Sequence, residues 1–316
     1  MKHFAFILIL VVVLFSCKKT FTPPPEVVKP PVAEDTSNLK NYTNKIITIV
    51  NWNIEWFGSS NFSGNLNVQE NNASKILKYL DADLYGICEV VDTARFGKMI
   101  RYTFSSDYNY RITPYPNVSQ KMAFVYNRHI FRNVKTRAFM GLSTSAGRYF
   151  ASGRFPFLLE ADMVVNNTRQ KISVVLLHAK AGADVQSYTN RLNGSVEMKD
   201  SLDRYFQQKN VALIGDFNDH LNGSITTGRV SPYKNFIDDK TYHAVTFPLN
   251  IPGYCSTITY QNSVIDQQVN NAGFAEWYVN TSAAIRKDVK NVVPDFDARS
   301  TSDHYPVSSR YNVKIK

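Results

Sequence analysis

Four short apolar runs in this chain each end in side chains that can bind a metal or move a proton. Ile46–Val50 leads into Asn51-Trp52-Asn53-Ile54-Glu55, and Leu84–Cys88 ends at Glu89. Ile172–Leu177 ends at His178, and Val211–Ile214 ends at Gly215-Asp216-Phe217-Asn218. Carboxylates and amides offer hard oxygen ligands to a divalent cation, and imidazole titrates near neutral pH. One such junction is ordinary, because strands exit into polar loops. Four with this chemistry point to a site assembled along one rim.

The elements that must position these residues follow from the same runs. Each run is short, rich in β-branched residues and almost continuously apolar, the pattern of a strand buried on both faces. Buried strands that deliver polar residues at their C-terminal ends are how an α/β protein builds a site. Helical spacing of apolar residues is expected over Asn72–Leu80 and over Gln186–Gln207. The middle of the chain does not alternate strand and helix: Tyr108–Ile112, Met122–Tyr126, Val134–Phe139 and Phe155–Val164 read as consecutive strands. Thr257–Tyr260, Ser263–Val269 and Tyr305–Val313 continue that theme. Strand runs with few helices favour an α/β fold of two mostly antiparallel sheets covered by helices over a barrel of alternating units.

From about residue 45 to the C-terminus the chain resembles the endonuclease/exonuclease/phosphatase superfamily, the DNase I-like fold. The resemblance rests on elements in order: Trp52-Asn53-Ile54-Glu55, Glu89, Arg154-Phe155-Pro156, His178, Gly215-Asp216-Phe217-Asn218, Ile265-Asp266 and Ser302-Asp303-His304-Tyr305-Pro306. Gln267 and Gln268 depart from the pattern, standing where an aromatic or His and an apolar residue are usual. The resemblance implies a four-layer α/β/β/α sandwich and metal-dependent hydrolysis of phosphoesters.

On that reading Glu89 is the best ligand for Mg²⁺ (or Mn²⁺), with Asn53 and Asp303 beside it directly or through water. His304 is the expected general base, oriented by Asp266. Asp216 and Asn218 would position the attacking water, and His178 would donate to a phosphoryl oxygen. Arg154, with its planar donor fork, would reach a non-bridging oxygen or a neighbouring phosphate. Glu55 reads equally as a metal-shell ligand or a solvated loop carboxylate. Asp219 reads as a loop carboxylate, His220 and His243 as structural histidines. Trp56, Phe57 and Trp277 could stack on bases but read mainly as core.

The N-terminus carries a different signal. Lys2 and His3 precede a twelve-residue apolar run, Phe4–Phe15, that ends at Ser16-Cys17. A spanning helix needs about 20 residues, so this is a leader rather than a membrane span. Leu14-Phe15-Ser16-Cys17 resembles a bacterial lipobox, which implies a lipoprotein signal peptide over 1–16 and acylation at Cys17. Segment 17–44, with Pro23, Pro24, Pro25, Pro30 and Pro31, reads as a semi-rigid tether, and 45–316 as the single phosphoesterase domain. Anchoring at the bacterial cell envelope, in the outer membrane, is the expected location, and a monomer the expected state. Beyond Cys17 only Cys88 and Cys255 remain, too few for a disulfide framework.

The formal charge of +10 suits an anionic substrate, and nucleic acid is the first expectation. A sphingomyelinase-like or inositol-phosphate phosphoesterase keeps the chemistry and changes the substrate. A tethered, non-catalytic binding protein is the remaining class, and the intact Gly-Asp-x-Asn and Ser-Asp-His elements weigh against it.

Overall fold

The computed structural model describes residues 38–314 apart from 116, 152, 260 and 261. The leader, Cys17 and most of the tether lie outside the described residues. No helix among them is long and apolar enough to cross a membrane.

Two sheets of six strands form the centre. The first runs β11 (Ala284–Ile285), β12 (Val307–Tyr311), β1 (Ile47–Phe57), β2 (Leu84–Val90), β4 (Lys121–Asn127) and β3 (Tyr108–Ile112). The second runs β5 (Phe131–Ala138), β6 (Phe157–Val165), β7 (Thr168–His178), β8 (Asn210–Asp216), β10 (Asp266–Asn271) and β9 (Tyr242–Ala244). Each sheet has one parallel pair, β1–β2 and β7–β8; every other pairing is antiparallel. A parallel pair needs a crossover, and helices α1 (Leu66–Leu80) and α4 (Val185–Tyr205) supply them.

Strand alternation explains the four layers. Ile49 and Leu176 face the core between the sheets, whereas their neighbours Val50 and Leu177 face outward into separate apolar clusters. One outer cluster packs Ile76, Leu77 and Leu80 of α1 with Phe96, Met99 and Ile100 of α2 (Thr93–Phe104). The other packs Met198 and Leu202 of α4 against the second sheet. The α/β/β/α sandwich expected from sequence is the fold observed.

Several boundaries differ from expectation, each for a local reason. Helix α1 starts at Leu66 rather than Asn72, because the Asn65 side chain accepts from the backbone N–H groups of Asn67 and Val68 and caps it earlier. Helix α2 was not expected at all. Thr257–Tyr260 is no strand where described: Thr257 makes only an isolated bridge to His304. The end of the segment assigned to the tether is docked on the domain. Tyr42 packs against the core and its carbonyl accepts from Asn166, while Lys40 pairs with Asp107 at 3.0 Å. Cys88 is buried and Cys255 half-exposed, both free thiols.

Candidate active site

The topology brings the polar strand ends to one rim. β1, β2, β7 and β8 all end there, and β10 and β12 begin there. Register pairs His178 with Asp216, Asp216 with Asp266, and Asn51 with Val307 just after the Ser302–Pro306 segment. Gly215 makes the closeness possible. Its φ is +133°, and a Cβ there would lie 2.0 Å from the Leu177 carbonyl oxygen, so no other residue fits.

Asn53 is the hub of the carboxylate cluster. Its amide nitrogen donates to Glu89 at 3.0 Å and to Asp216 at 3.1 Å, while its oxygen accepts the Glu55 N–H. The second Glu89 oxygen accepts from the Trp56 N–H at 3.0 Å. That bond exists because Glu55 and Trp56 adopt left-handed conformations (φ 42° and 45°), interrupting the β1–β2 register between Asn53 and Phe57. His178 Nε2 lies 3.5 Å from Glu89 and 3.6 Å from Asp216. The Asn218 N–H donates to Asp216 at 2.8 Å, and its side-chain amide donates to the Ala179 carbonyl.

His304 completes the set. Its Nδ1 lies 2.8 Å from Asp266 Oδ2, which leaves Nε2 facing Asp303 at 3.7 Å and Asp216 at 4.0 Å. The ring is held from behind. Ser302 Oγ donates to the Asn53 carbonyl and accepts the His304 N–H, and the Trp52 indole donates to the His304 carbonyl.

The electrostatics are those of excess negative charge. Burial alone would lower the His304 pKa, but Asp266 first, then Asp216 and Asp303, hold it well above its ordinary value. Asp216 is pushed up to about 7, by burial and then by Asp266, against the pull of His304. Glu55 is pushed up to about 8, mainly by burial and then by Asp303, although the Asp303 backbone N–H offsets part of this. Glu55 is therefore no solvated loop carboxylate: its Oε2 is buried with no partner among the described residues. His178 falls well below 6.5 through burial, then Arg154 and His304, so it is neutral near pH 7.

Five carboxylates (Glu55, Glu89, Asp216, Asp266, Asp303) thus surround one imidazolium, with Arg154 close behind. Among the described residues no group of three or more His, Cys, Asp or Glu side chains is placed to hold a metal ion. Mg²⁺ does not require one, since it takes one or two carboxylates and keeps several waters. The orphaned Glu55 oxygen beside Glu89 and Asp303 suits a hard divalent cation that takes one or two of these carboxylates and fills its shell with water. Asn53, engaged with both carboxylates, keeps one lone pair for the ion and acts chiefly as their orienter.

Two residues read otherwise in the structure than in the sequence. Arg154 is buried, 6% exposed, and donates to the carbonyls of His178 and Ala179 and to Gln120, so much of its fork is spent holding the end of β7. Asp219 is not a loop carboxylate in water. It is fully buried and paired with Arg191 of α4 at 2.8 Å, and Arg191 also donates to Lys180 and Gly182. The pair ties the loop after His178 to the loop after Asn218. Phe57 and Trp277 are core, but half-buried Trp56 stacks at 4.0 Å on exposed Phe62 at the lip of the site. His220 reaches Ser263, as a structural histidine would.

Gln267 and Gln268 are fully buried. Gln268 donates to Asn51 and the Val307 carbonyl, and Gln267 bonds Thr246 and Asn250, a polar seam beneath the dyad. Sequence reasoning missed that seam, Ser302 and Arg191. Ser302 left a signal inside the Ser-Asp-His element and the seam left one in the Gln267-Gln268 departure, whereas Arg191 left none.

No family model matches the chain, and no curated protein matches it in sequence. The likeness is structural. An endonuclease/exonuclease/phosphatase from Bacteroides vulgatus superposes with a TM-score of 0.60 at 12% identity, covering 85% of this chain and 100% of that one. The human Nocturnin catalytic domain, solved with a bound sulfate, gives 0.61 at 14% identity over 87% of this chain and 96% of that one. A mannosyl-6-phosphatase from Bacteroides thetaiotaomicron gives 0.57 at 14%, over 83% and 98%. The chain has the endonuclease/exonuclease/phosphatase fold.

Proposed function

We propose that this chain is a divalent-metal-dependent phosphoesterase that hydrolyses phosphodiester bonds, with nucleic acid as its substrate. The observation that carries the reading is the Asp266–His304 dyad aimed at a rim where buried carboxylates outnumber cations. A divalent ion taking one or two of the carboxylates Glu89, Asp303 and Glu55 would polarise a phosphoryl oxygen.

The chain's own residues do the rest. His304 Nε2, with Nδ1 fixed by Asp266, takes the proton of a water lodged between it and Asp216. Asp216, steadied by the Asn53 amide and the Asn218 N–H, orients that water. Neutral His178 offers an N–H toward a non-bridging oxygen without repelling the general base. Asn218 lines the same rim and, through Ala179, ties it to the end of β7.

Nucleic acid is favoured by two observations: the +10 charge and the Trp56–Phe62 stack beside Glu89.

The full chain incubated with plasmid, single-stranded DNA and RNA should cleave at least one in Mn²⁺ or Mg²⁺, and lose that activity in EDTA or in Glu89→Gln. Intact substrates with the ion demonstrably bound would sink the nuclease reading; release of phosphate from phosphomonoesters instead would move the substrate class. Acylation of Cys17 and outer-membrane anchoring of a monomer complete the proposal. Radiolabelled palmitate that labels wild type but not Cys17→Ala, and fractionation, test them.

A further inference from the structure

Beside the catalytic rim, three loops enclose an open cleft of about 270 Å³. Asn117, Ser119 and Gln120 come from the β3–β4 loop, Arg154 from the turn before β6, and Lys180 from the loop after His178. Among the described residues no carboxylate lines it. Arg154 is its buried floor and Lys180 its half-exposed wall.

Two features of this cleft suit an anion. A guanidinium carries five N–H donors. Arg154 gives Nε to the His178 carbonyl at 3.2 Å, one Nη2 hydrogen to Ala179 at 3.2 Å, and one Nη1 hydrogen to Gln120 at 2.7 Å. One hydrogen on each terminal nitrogen remains to donate to an anion in the cleft. Lys180 spends a single hydrogen, on the Ala181 carbonyl, and among the described residues no salt bridge neutralises it. Buried or half-buried cations are normally paired, and these two converge on one cleft with no charged partner in it among the described residues. The catalytic carboxylates do not fill that role: Glu89 and Asp216 act on Arg154 only at a distance, and burial outweighs them in lowering its pKa.

We propose that this cleft is a second anion subsite, which takes the phosphate adjoining the scissile one. The assignment rests on the phosphodiesterase reading and narrows its substrate to molecules carrying two phosphates in series. Arg154 couples the subsite to chemistry, because the same guanidinium that meets the second phosphate fixes the carbonyl of His178. Lys180 supplies affinity, at the mouth.

The test compares the dinucleotide TpT with pTpT and TpTp, which share one scissile bond and differ in a terminal phosphate. Full-length protein in Mn²⁺ should prefer one phosphorylated form by about tenfold or more in kcat/KM, the scale of one hydrogen bond to a charged group. In Lys180→Ala and Lys180→Glu that ratio should collapse toward one. A wild-type ratio near one, or a ratio unchanged in both variants, overturns the proposal. Inorganic phosphate titrated in EDTA and followed by ³¹P NMR reads the cleft without turnover; binding should weaken about tenfold in Lys180→Ala. No binding by wild type overturns the subsite even if no dinucleotide is cut, an outcome that would separately reject the phosphodiesterase reading. Phosphate binding with a kinetic ratio of one would make the cleft a site for free phosphate and overturn its assignment to substrate.

Discussion

Replacing Asp266 with Asn removes one charge and almost no volume, which makes it the sharpest probe of the catalytic reasoning. Asp266 is fully buried at the start of β10, with Oδ2 2.8 Å from His304 Nδ1. It sets the ring so that Nε2 faces the rim, and it is the largest of the influences that raise the His304 pKa against burial. A hydrogen bond to a charged group contributes about 1.5–3 kcal/mol. At 1.36 kcal/mol per unit, its loss should lower the His304 pKa by about 1–2 units. A general base works only when neutral, so the rate rises as pH climbs through its pKa. In Asp266→Asn that rising limb of kcat/KM should therefore shift about 1–2 units toward acid. The plateau should fall about 10- to 100-fold, because the imidazolium formed in the transition state loses the same stabilisation. Bis(p-nitrophenyl) phosphate in saturating Mn²⁺ gives the profile, and a thermal melt checks folding. Stability has its own signature. A raised histidine pKa stabilises fully below the unfolded value of about 6.5 and progressively less as pH rises through the folded one. The melting deficit of the variant should thus be largest near pH 6 and shrink toward alkaline pH. A limb that stays in place, or an unchanged plateau, would refute the assignment of His304 as base and Asp266 as its orienter.

Arg191→Met should cost about 3–5 kcal/mol in urea unfolding, since it strands Asp219 at zero exposure, and adding Asp219→Leu should restore part of that loss. Gly215→Ala should cost at least about 3 kcal/mol, because the new methyl meets the Leu177 carbonyl in a backbone conformation that L-residues rarely adopt. Asp216 and Glu55 have raised pKa values, so the folded protein binds more protons than the unfolded chain above about pH 4, and these groups contribute less stability as pH rises toward 7 and 8. Mg²⁺ or Mn²⁺ should consequently raise Tm more near pH 8 than near pH 6, and an equal shift at both would count against Glu55 as a ligand of the ion.

What could be read from the sequence was whatever depends on neighbours along the chain. β1, β2, β7 and β8 were legible because strands covered on both faces leave continuous apolar runs, and β3 emerged with the same bounds, Tyr108–Ile112. Helix α2 was not, because Gly97 interrupts it and only Phe96, Met99, Ile100 and Thr103 are buried besides. The catalytic strand ends were legible as chemistry; their partners were not. Asp219 stands 28 residues from Arg191, and no local pattern announces that a helix will bury a guanidinium against it. Gln268 looked like a departure because its partners, Asn51, Val307 and Ser309, lie on two strands of the other sheet.

Glu55 shows why the remaining ambiguity fell where it did. Its side depends on the paired left-handed residues Glu55 and Trp56, and Glu89 (φ 68°) and Asn218 (φ 51°) repeat that conformation at the same rim. Each such residue costs on the order of 1–3 kcal/mol, and each breaks the alternation from which side-chain direction is inferred. The same rim holds buried polar atoms with no partner among the described residues: Glu55 Oε2, His178 Nδ1 and Asp266 Oδ1. Left-handed residues also occur outside the rim, at Ser105 and Asn133 for example, but ordinary packing does not assemble strain, unspent bonding capacity and surplus negative charge in one place. Here they coincide, which is the physical reason that sequence rules fail at the place where a cation and a phosphate would supply what the chain leaves open.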